Sequence, residues 1–228
     1  GLAEPLIAAQ GQNRILVQLP GVSNPEEAKR LINTTAKLDF RIVDSSLDSD
    51  KLAAMVAEAE KEGGFALSKD GMTYTQYVHK INDVLKSKLP ANTMVSFEKA
   101  PQATTLDAGK VPMLLRTDTD VSGDMLEDAF VSLGEYGEPK VSFRFGSEGK
   151  RKFADLTSKN VGKNLAIVLD EIVYSAPNIR ERIDGEGQIS LGQRNAEDAQ
   201  KEGNLIATAL RAGALPASLQ LMEERSVG

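Results

Sequence analysis

Residues 165–174 read LAIVLDEIVY, and the first five carry no polar side chain. A short apolar run bounded by polar residues is the pattern of a strand covered on both faces; a strand with one wet face would alternate instead. Asp170-Glu171 turns that strand into a second short one, Ile172-Val173-Tyr174. Upstream, Phe153 and Leu156 anchor a helix, and Val141, Phe143 and Phe145 alternate along a strand. Leu126, Ala129, Phe130 and Leu133 recur at helical spacing and predict another helix. Downstream, Gly185-Glu186-Gly187 breaks the pattern. Asn195 then caps a helix over about 196–211, Gly213 ends it and Pro216 bars its return. Leu219 and Leu221 alternate with Ser218 and Gln220 in a closing strand.

The N-terminal part reads β-β-α-β. Residues 4–10 and Arg14 to Leu19 are strands, and Pro20-Gly21 stops the second. Asn24 is the N-cap of the next helix, with Pro25 at its first position and Glu26-Glu27 complementing its dipole. Ala28, Leu31, Ile32 and Thr35 form its buried stripe, and Phe40 to Val43 is the following strand. Residues 44–111 differ in texture. They predict one amphipathic helix through Leu52, Met55, Val56 and Ala59, closed by Gly63-Gly64. A second runs through Tyr74, Tyr77, Val78, Ile81, Leu85 and Leu89 to Pro90, and a short strand spans about 92–98. This stretch is expected to be an elaboration inserted into the first domain. The early and late segments, each with a helix-strand pair, predict one ferredoxin-like domain interrupted by an insertion.

The chain has 228 residues, of which 41% are hydrophobic and 26% charged, with a formal net charge of −6. That composition suits a globular protein and speaks against a broad nucleic-acid surface, which needs clustered Lys and Arg. The densest basic run, Lys150-Arg151-Lys152, reads as a solvated helix face. There is no cysteine, which excludes disulfides, thiolate metal sites and cysteine nucleophiles. No stretch reaches the roughly 18–20 apolar residues of a membrane span, and nothing resembles a signal peptide, so taken alone the chain reads as soluble.

Little in it reads as catalytic. Gly146-Ser147-Glu148-Gly149-Lys150 invites a phosphate-loop reading, but Arg144 stands where that loop needs its first glycine, and Arg151 where it needs Ser or Thr. A strand-to-helix turn with Ser147 as N-cap is the expectation. Gly162-Lys163 fails the same comparison at Thr157. The single histidine, His79, lies one position off an apolar helix stripe and reads as exposed, with no partner for a catalytic triad in view. Asp118 and Asp120 lack the glycine and glutamate that a calcium loop places after such a pair, so turn and capping duty is expected. Asp124 and Asp128 sit at helical spacing on what reads as a solvated surface, and Phe143, Phe145 and Phe153 read as core. No enzyme, cofactor or metal is expected.

Several stretches together resemble one family. GLAEPLIAAQGQNRILVQLPGV (1–22), TAKLDFRIV (35–43), SKNVGKNLAIVLD (158–170), SAPNI (175–179) and LRAGALPASLQLMEERSVG (210–228) are similar, in order and spacing, to the large first periplasmic domain of the SecD family. Its members are accessory subunits of the bacterial Sec translocase. The resemblance implies an α+β fold, a ferredoxin-like base carrying a smaller inserted α+β head. The base would comprise residues 1–117 (44–111 being a variable insertion) and 190–228, and the head residues 118–189. It implies a piece of a larger inner-membrane protein, facing the periplasm, which lacks an earlier helix and strand of its own base at one end and the membrane-embedded half at the other. It implies a domain that engages unfolded preprotein emerging from SecYEG, moving head against base with the proton motive force, alongside SecF and YajC. The alternative is a scaffold that holds SecF or YajC without touching substrate. The family's usual Asp-Gly after LAIVL is Asp170-Glu171 here, which puts a tight type I′ turn in doubt. Two chain crossings, Thr117 to Gly123 and Asp184 to Gly192, are the expected hinges, through Thr117, Ser122, Gly123, Gly185, Gly187 and Gly192. Substrate contact is expected at the strand of Val141, Phe143 and Phe145 or at that of Tyr174, whichever lies at a sheet edge.

Overall fold

The computed structural model describes residues 37–67, 69, 71–99, 110–191 and 195–214. It is a mixed α+β structure of two sheets and four α-helices among those residues. The strands expected near the N-terminus, the helix after Pro25 and the closing strand near Leu219 lie outside them, and with them most of the expected ferredoxin-like base.

The chain divides into two compact units. Among the described residues one holds 40–120 and 162–179, the other 37–39, 121–161 and 180–214. A five-stranded sheet, in the first unit except for the Leu38-Asp39 start of its outermost strand, has the order β1 (Leu38–Ile42), β6 (Leu165–Leu169), β7 (Ile172–Ser175), β2 (Thr93–Lys99), β3 (Lys110–Arg116). Strand β6 is buried at all its positions, as its apolar run demands. Helices α1 (Ser49–Gly63) and α2 (Tyr74–Leu85) present Leu52, Val56, Tyr77, Val78, Ile81 and Leu85 to Val95, Phe97 and Leu114. A separate cluster gathers Leu115, Ala166, Val168 and Val173. Both helices have firm starts: Asp48 caps α1, and Thr73 with Gln76 forms a capping box on α2. Gly64, at φ 68°, closes α1 in the left-handed conformation that glycine adopts without steric cost.

Residues 44–111 contribute α1, α2 and β2 to this unit. Their strand β2 pairs parallel with β7, Phe97 opposite Ile172, and antiparallel with β3. Beyond the pairing with β7, Asn82 of α2 takes over: its amide donates to the Val95 carbonyl, and its oxygen accepts the Val95 N–H at 2.7 Å.

The β6–β7 turn forms despite its glutamate. Asp170 and Glu171 have φ of 49° and 69°, the positive values a type I′ turn needs at both central positions. Glu171 is held there from the insertion. The Tyr74 hydroxyl donates to its carbonyl at 2.8 Å, the Ser96 hydroxyl donates to the same oxygen, and its carboxylate lies 2.9 Å from His79 Nε2. Burial is the main cause that raises the Tyr74 hydroxyl to about 12, so it remains a donor.

The second unit is a three-stranded antiparallel sheet, β4 (Leu126–Leu133), β5 (Pro139–Phe145), β8 (Glu186–Ser190). Helix α3 (Ser147–Lys159) packs through Phe153 onto Phe143 and Phe145, and α4 (Ala196–Ala214) lies close to Val131 and Val141 at Gly203. Two local expectations are corrected here. Residues 126–133 form a strand, not a helix, because a bulge between Leu126 and Asp128 shifts the alternation and puts Leu126 and Ala129 on one side. Gly146, not Ser147, is the N-cap of α3, and Ser147 is its first residue. Asn195 does cap α4, accepting the Asp198 N–H at 2.8 Å.

The domain boundaries expected from sequence also move. Residues 162–179 leave the expected head for the five-stranded sheet, because β6 needs a neighbour on either side and finds β1 and β7 there. Residues 196–214 leave the expected base and pack on β4 and β5.

The turn yields a direct check. A left-handed backbone costs an ordinary residue on the order of 1 kcal/mol more than glycine. Glu171→Gly is therefore expected to exceed Glu171→Ala in stability by about 1 kcal/mol, both variants having lost the His79 contact. Urea unfolding of the two proteins measures it; equal midpoints would mean that the turn carries no strain.

Candidate functional site

The three-stranded sheet has one covered and one open face. Val141, Phe143 and Phe145 point to the covered side and are 0%, 7% and 3% exposed. The three rings of Phe143, Phe145 and Phe153 form one cluster, with centroids 4.6 to 5.9 Å apart. Strand β5 is the middle strand, bonded on both sides. Strand β7 of the other unit lies between β6 and β2, and Tyr174 on it is half-buried. Neither strand expected to contact substrate lies at an edge. The physical reason is shared: their apolar side chains are worth more as core, and core strands in these sheets are the central ones.

The open face carries Phe130 and Ser132 from β4, Lys140, Ser142 and Arg144 from β5, and Glu186, Gln188 and Ser190 from β8, all half-buried or exposed. The Ser132 and Ser142 hydroxyls meet across the strands at 2.7 Å. Sequence reading missed β8 altogether, because Gly185-Glu186-Gly187 reads as a break and only Ile189 signals an inward position. The glycine has a packing cause: a Cβ on Gly187 would overlap the Phe143 ring.

The expected hinge residues fall in different places. The chain crosses between units at 39/40, 120/121, 161/162 and 179/180. Thr117, Ser122 and Gly123 flank the second crossing, and Ser122 forms an antiparallel bridge with Asp39 beside the first. Gly123 is buried, and a Cβ there would run into Leu38 and the Gly213 carbonyl. Gly185 and Gly187 lie inside the second unit rather than at a crossing: the Gly185 carbonyl accepts the Phe145 N–H at 2.7 Å, and Gly187 pairs with Phe143. Gly192 lies outside the described residues.

The remaining sequence candidates resolve into local roles. Asp118 pairs with Arg116, 2.6 Å from Nη2, and Arg116 also reaches Asp44 at 3.3 Å. The hydrogen bond from Arg116 holds the Asp118 carboxyl below its usual range; for Asp44 the main cause is the bond to Ser46, with Arg116 adding to it. His79 is an exposed helical residue, as expected, and its Nε2 lies 2.9 Å from the Glu171 carboxylate, a neighbour that sequence distance concealed. Gly149 of the would-be phosphate loop is buried where a Cβ would press on Met125 and Phe145. Lys150 and Arg151 are exposed, and Lys152 pairs with Glu148 one helical turn away. Asp124 lies in a 3-10 turn and Asp128 in a bulged strand, so the two share no helix face. Asp128 instead meets Arg211 of α4, whose Nε donates to the Ala129 carbonyl.

Comparison with known proteins adds what geometry alone does not. Residues 97–217 match the family model described as the SecDF P1 head subdomain, and residues 1–45 match the N-terminal part of the SecDF P1 domain. The head match runs beyond both ends of the head expected from sequence. The chain is 40% identical to protein translocase subunit SecD of Elusimicrobium minutum, covering 100% of this chain and 43% of the relative. It is 39% identical to SecD of Endomicrobium trichonymphae, again over 100% of this chain and 44% of the relative. The chain thus spans less than half the length of these curated relatives. Among solved structures, a study of SecDF as a membrane component that enhances protein export superposes with a TM-score of 0.43 at 31% identity, over 87% of this chain and 73% of that one. SecDF of Thermus superposes at 0.42 and 28% identity, over 84% and 21%. By sequence, from one end to the other, the chain belongs to the SecD/SecDF family of protein translocase subunits and matches its P1 domain.

Proposed function

We propose that this chain is the periplasm-facing P1 domain of a Sec translocase accessory subunit, and that it binds preprotein rather than catalysing a reaction. It holds unfolded segments as they leave SecYEG. Relative movement of its two units, driven by the proton motive force through the membrane part of the whole protein and in concert with SecF and YajC, then favours late export. A ferredoxin-like base would be completed by the terminal segments.

The observation that carries this reading is the alignment of the entire chain with protein translocase subunits at 40% identity. The geometry is compatible in one specific respect. A translocase meets many sequences, so its contact surface must be adaptable and weakly selective. The open face of the three-stranded sheet fits that need, with one aromatic, Phe130, among hydroxyls, an amide and charges of both signs.

A photocrosslinking amino acid at Phe130 or Ser142, in the full-length membrane protein with an arrested preprotein, is expected to give adducts containing the preprotein. Adducts to SecF or YajC alone would replace the binding role with a scaffolding one.

Movement between the units has its own measurement. Paired residues across an antiparallel bridge stand about 4.5–5.5 Å apart at Cα, within the span of a disulfide. Cysteines replacing Asp39 and Ser122 are thus expected to join the chain beside the first two crossings, leave the fold intact and slow export until reductant is added. Undiminished export by the fully oxidised protein would show that the two strands beside these crossings do not need to separate.

A further inference from the structure

Sheet edges in this chain are treated unequally. In the five-stranded sheet the outer strands β1 and β3 are joined. Val43 bridges Leu115, and the Asp44 N–H donates to the Leu114 carbonyl at 2.8 Å, while Pro112 removes one donor from β3. In the three-stranded sheet, β4 carries the bulge at Leu126/Asp128, the carboxylates of Glu127 and Asp128, and the Arg211 guanidinium on its Ala129 carbonyl. Bulges, charges and covering groups are the devices by which proteins blunt an edge. Of these devices strand β8 shows, among its described residues, only the Glu186 carboxylate at its start. Its outer side pairs with no strand among the described residues, and Gly187, Gln188 and Ser190 are uncharged.

The bonding phase of β8 is fixed. The Phe145 N–H donates to the Gly185 carbonyl, and the register continues through Phe143 with Gly187 and Val141 with Ile189. In an antiparallel pair such residues alternate with ones whose main-chain groups face away. The N–H and C=O of Glu186, Gln188 and Ser190 therefore point outward.

We infer that this outer edge of β8 is a strand-addition site for an extended polypeptide segment. The inference rests on the preprotein-engaging reading above and gives it a location. The chemistry of the edge selects the occupant: a row of alternating donors and acceptors is matched by another peptide backbone, whatever its side chains. Glu186, Gln188 and Ser190 supply few bonds, so the hold is weak and reversible, as a segment in transit requires. Ile189 anchors the strand in the core opposite Val141, so the edge is presented rigidly.

The test uses the 228-residue chain, isotope-labelled, with reduced and carboxymethylated α-lactalbumin as the unfolded probe. Hydrogen exchange at the Gln188 and Ser190 amides is expected to slow when the probe is added. Gln188→Pro removes an outward N–H that the ladder to β5 does not use, a place where an edge strand tolerates proline. It is expected to weaken probe binding about tenfold or more. Gln188→Ala, which keeps that N–H and alters only the side chain, should lose far less than the proline variant. If the proline variant fails to fold, Gln188→Lys takes its place and should weaken binding by charging the edge. Binding that protects other amides and ignores these substitutions overturns the edge site while leaving the preprotein reading standing. No binding at any position removes both. Protection of Gln188 and Ser190 that needs no probe and grows with protein concentration would assign the edge to a second copy of the chain instead.

Discussion

Strand β6 has no face that tolerates water. Five consecutive buried apolar residues need a neighbour on each side and cover above and below. The hairpin return through Asp170-Glu171 supplies one neighbour, β7, but only in a backbone conformation that ordinary residues resist. The resistance is overcome from a distant part of the chain, by Tyr74 and Ser96 on the Glu171 carbonyl and His79 on its carboxylate. The same part sends β2 to lie beside β7. A segment with the texture of an addition is thus part of what allows the most apolar strand to be buried.

The three-stranded sheet answers a different constraint. Two helices must approach one face of a small sheet, and glycine makes the approach possible. Gly149 sits against Phe145, Gly203 near Val131 and Val141, and Gly187 beneath the Phe143 ring. Crowding nearly all of the apolar side chains onto one side leaves the other, Phe130 apart, free to be polar.

Much of this was legible from residues alone. The apolar run at Leu165 to Leu169, the capping signals at Asn195 and Gly64, and the alternation of Val141, Phe143 and Phe145 each report a local constraint, and each element is present. The failures share a cause. Leu126, Ala129 and Leu133 mimic a helix because a bulge adds a residue to one strand, and a bulge has no local signature there. Strand β8 was invisible because its glycine answers to a phenylalanine more than forty residues earlier (roughly, counting along the chain). Pairing partners, hence unit boundaries and edges, depend on which strands meet in space. Periodicity does not encode that, so the site candidates on β5 and β7 were placed on core strands.

The interlacing of the two units bears on how the chain comes to be folded. Strands β2 and β3 form a local hairpin, but β1 and β2 stay apart in the finished sheet until β6 and β7 come between them. Those two strands lie beyond most of the other unit in chain order, so the five-stranded sheet cannot close while synthesis is still short of Ser175. Its closure is a long-range event, the kind that slows folding, since ordering of the intervening chain must precede the contacts that reward it. Until then Val95 and Phe97 have the two helices as cover but lack β7 alongside, and the growing chain carries an unfinished sheet edge of its own.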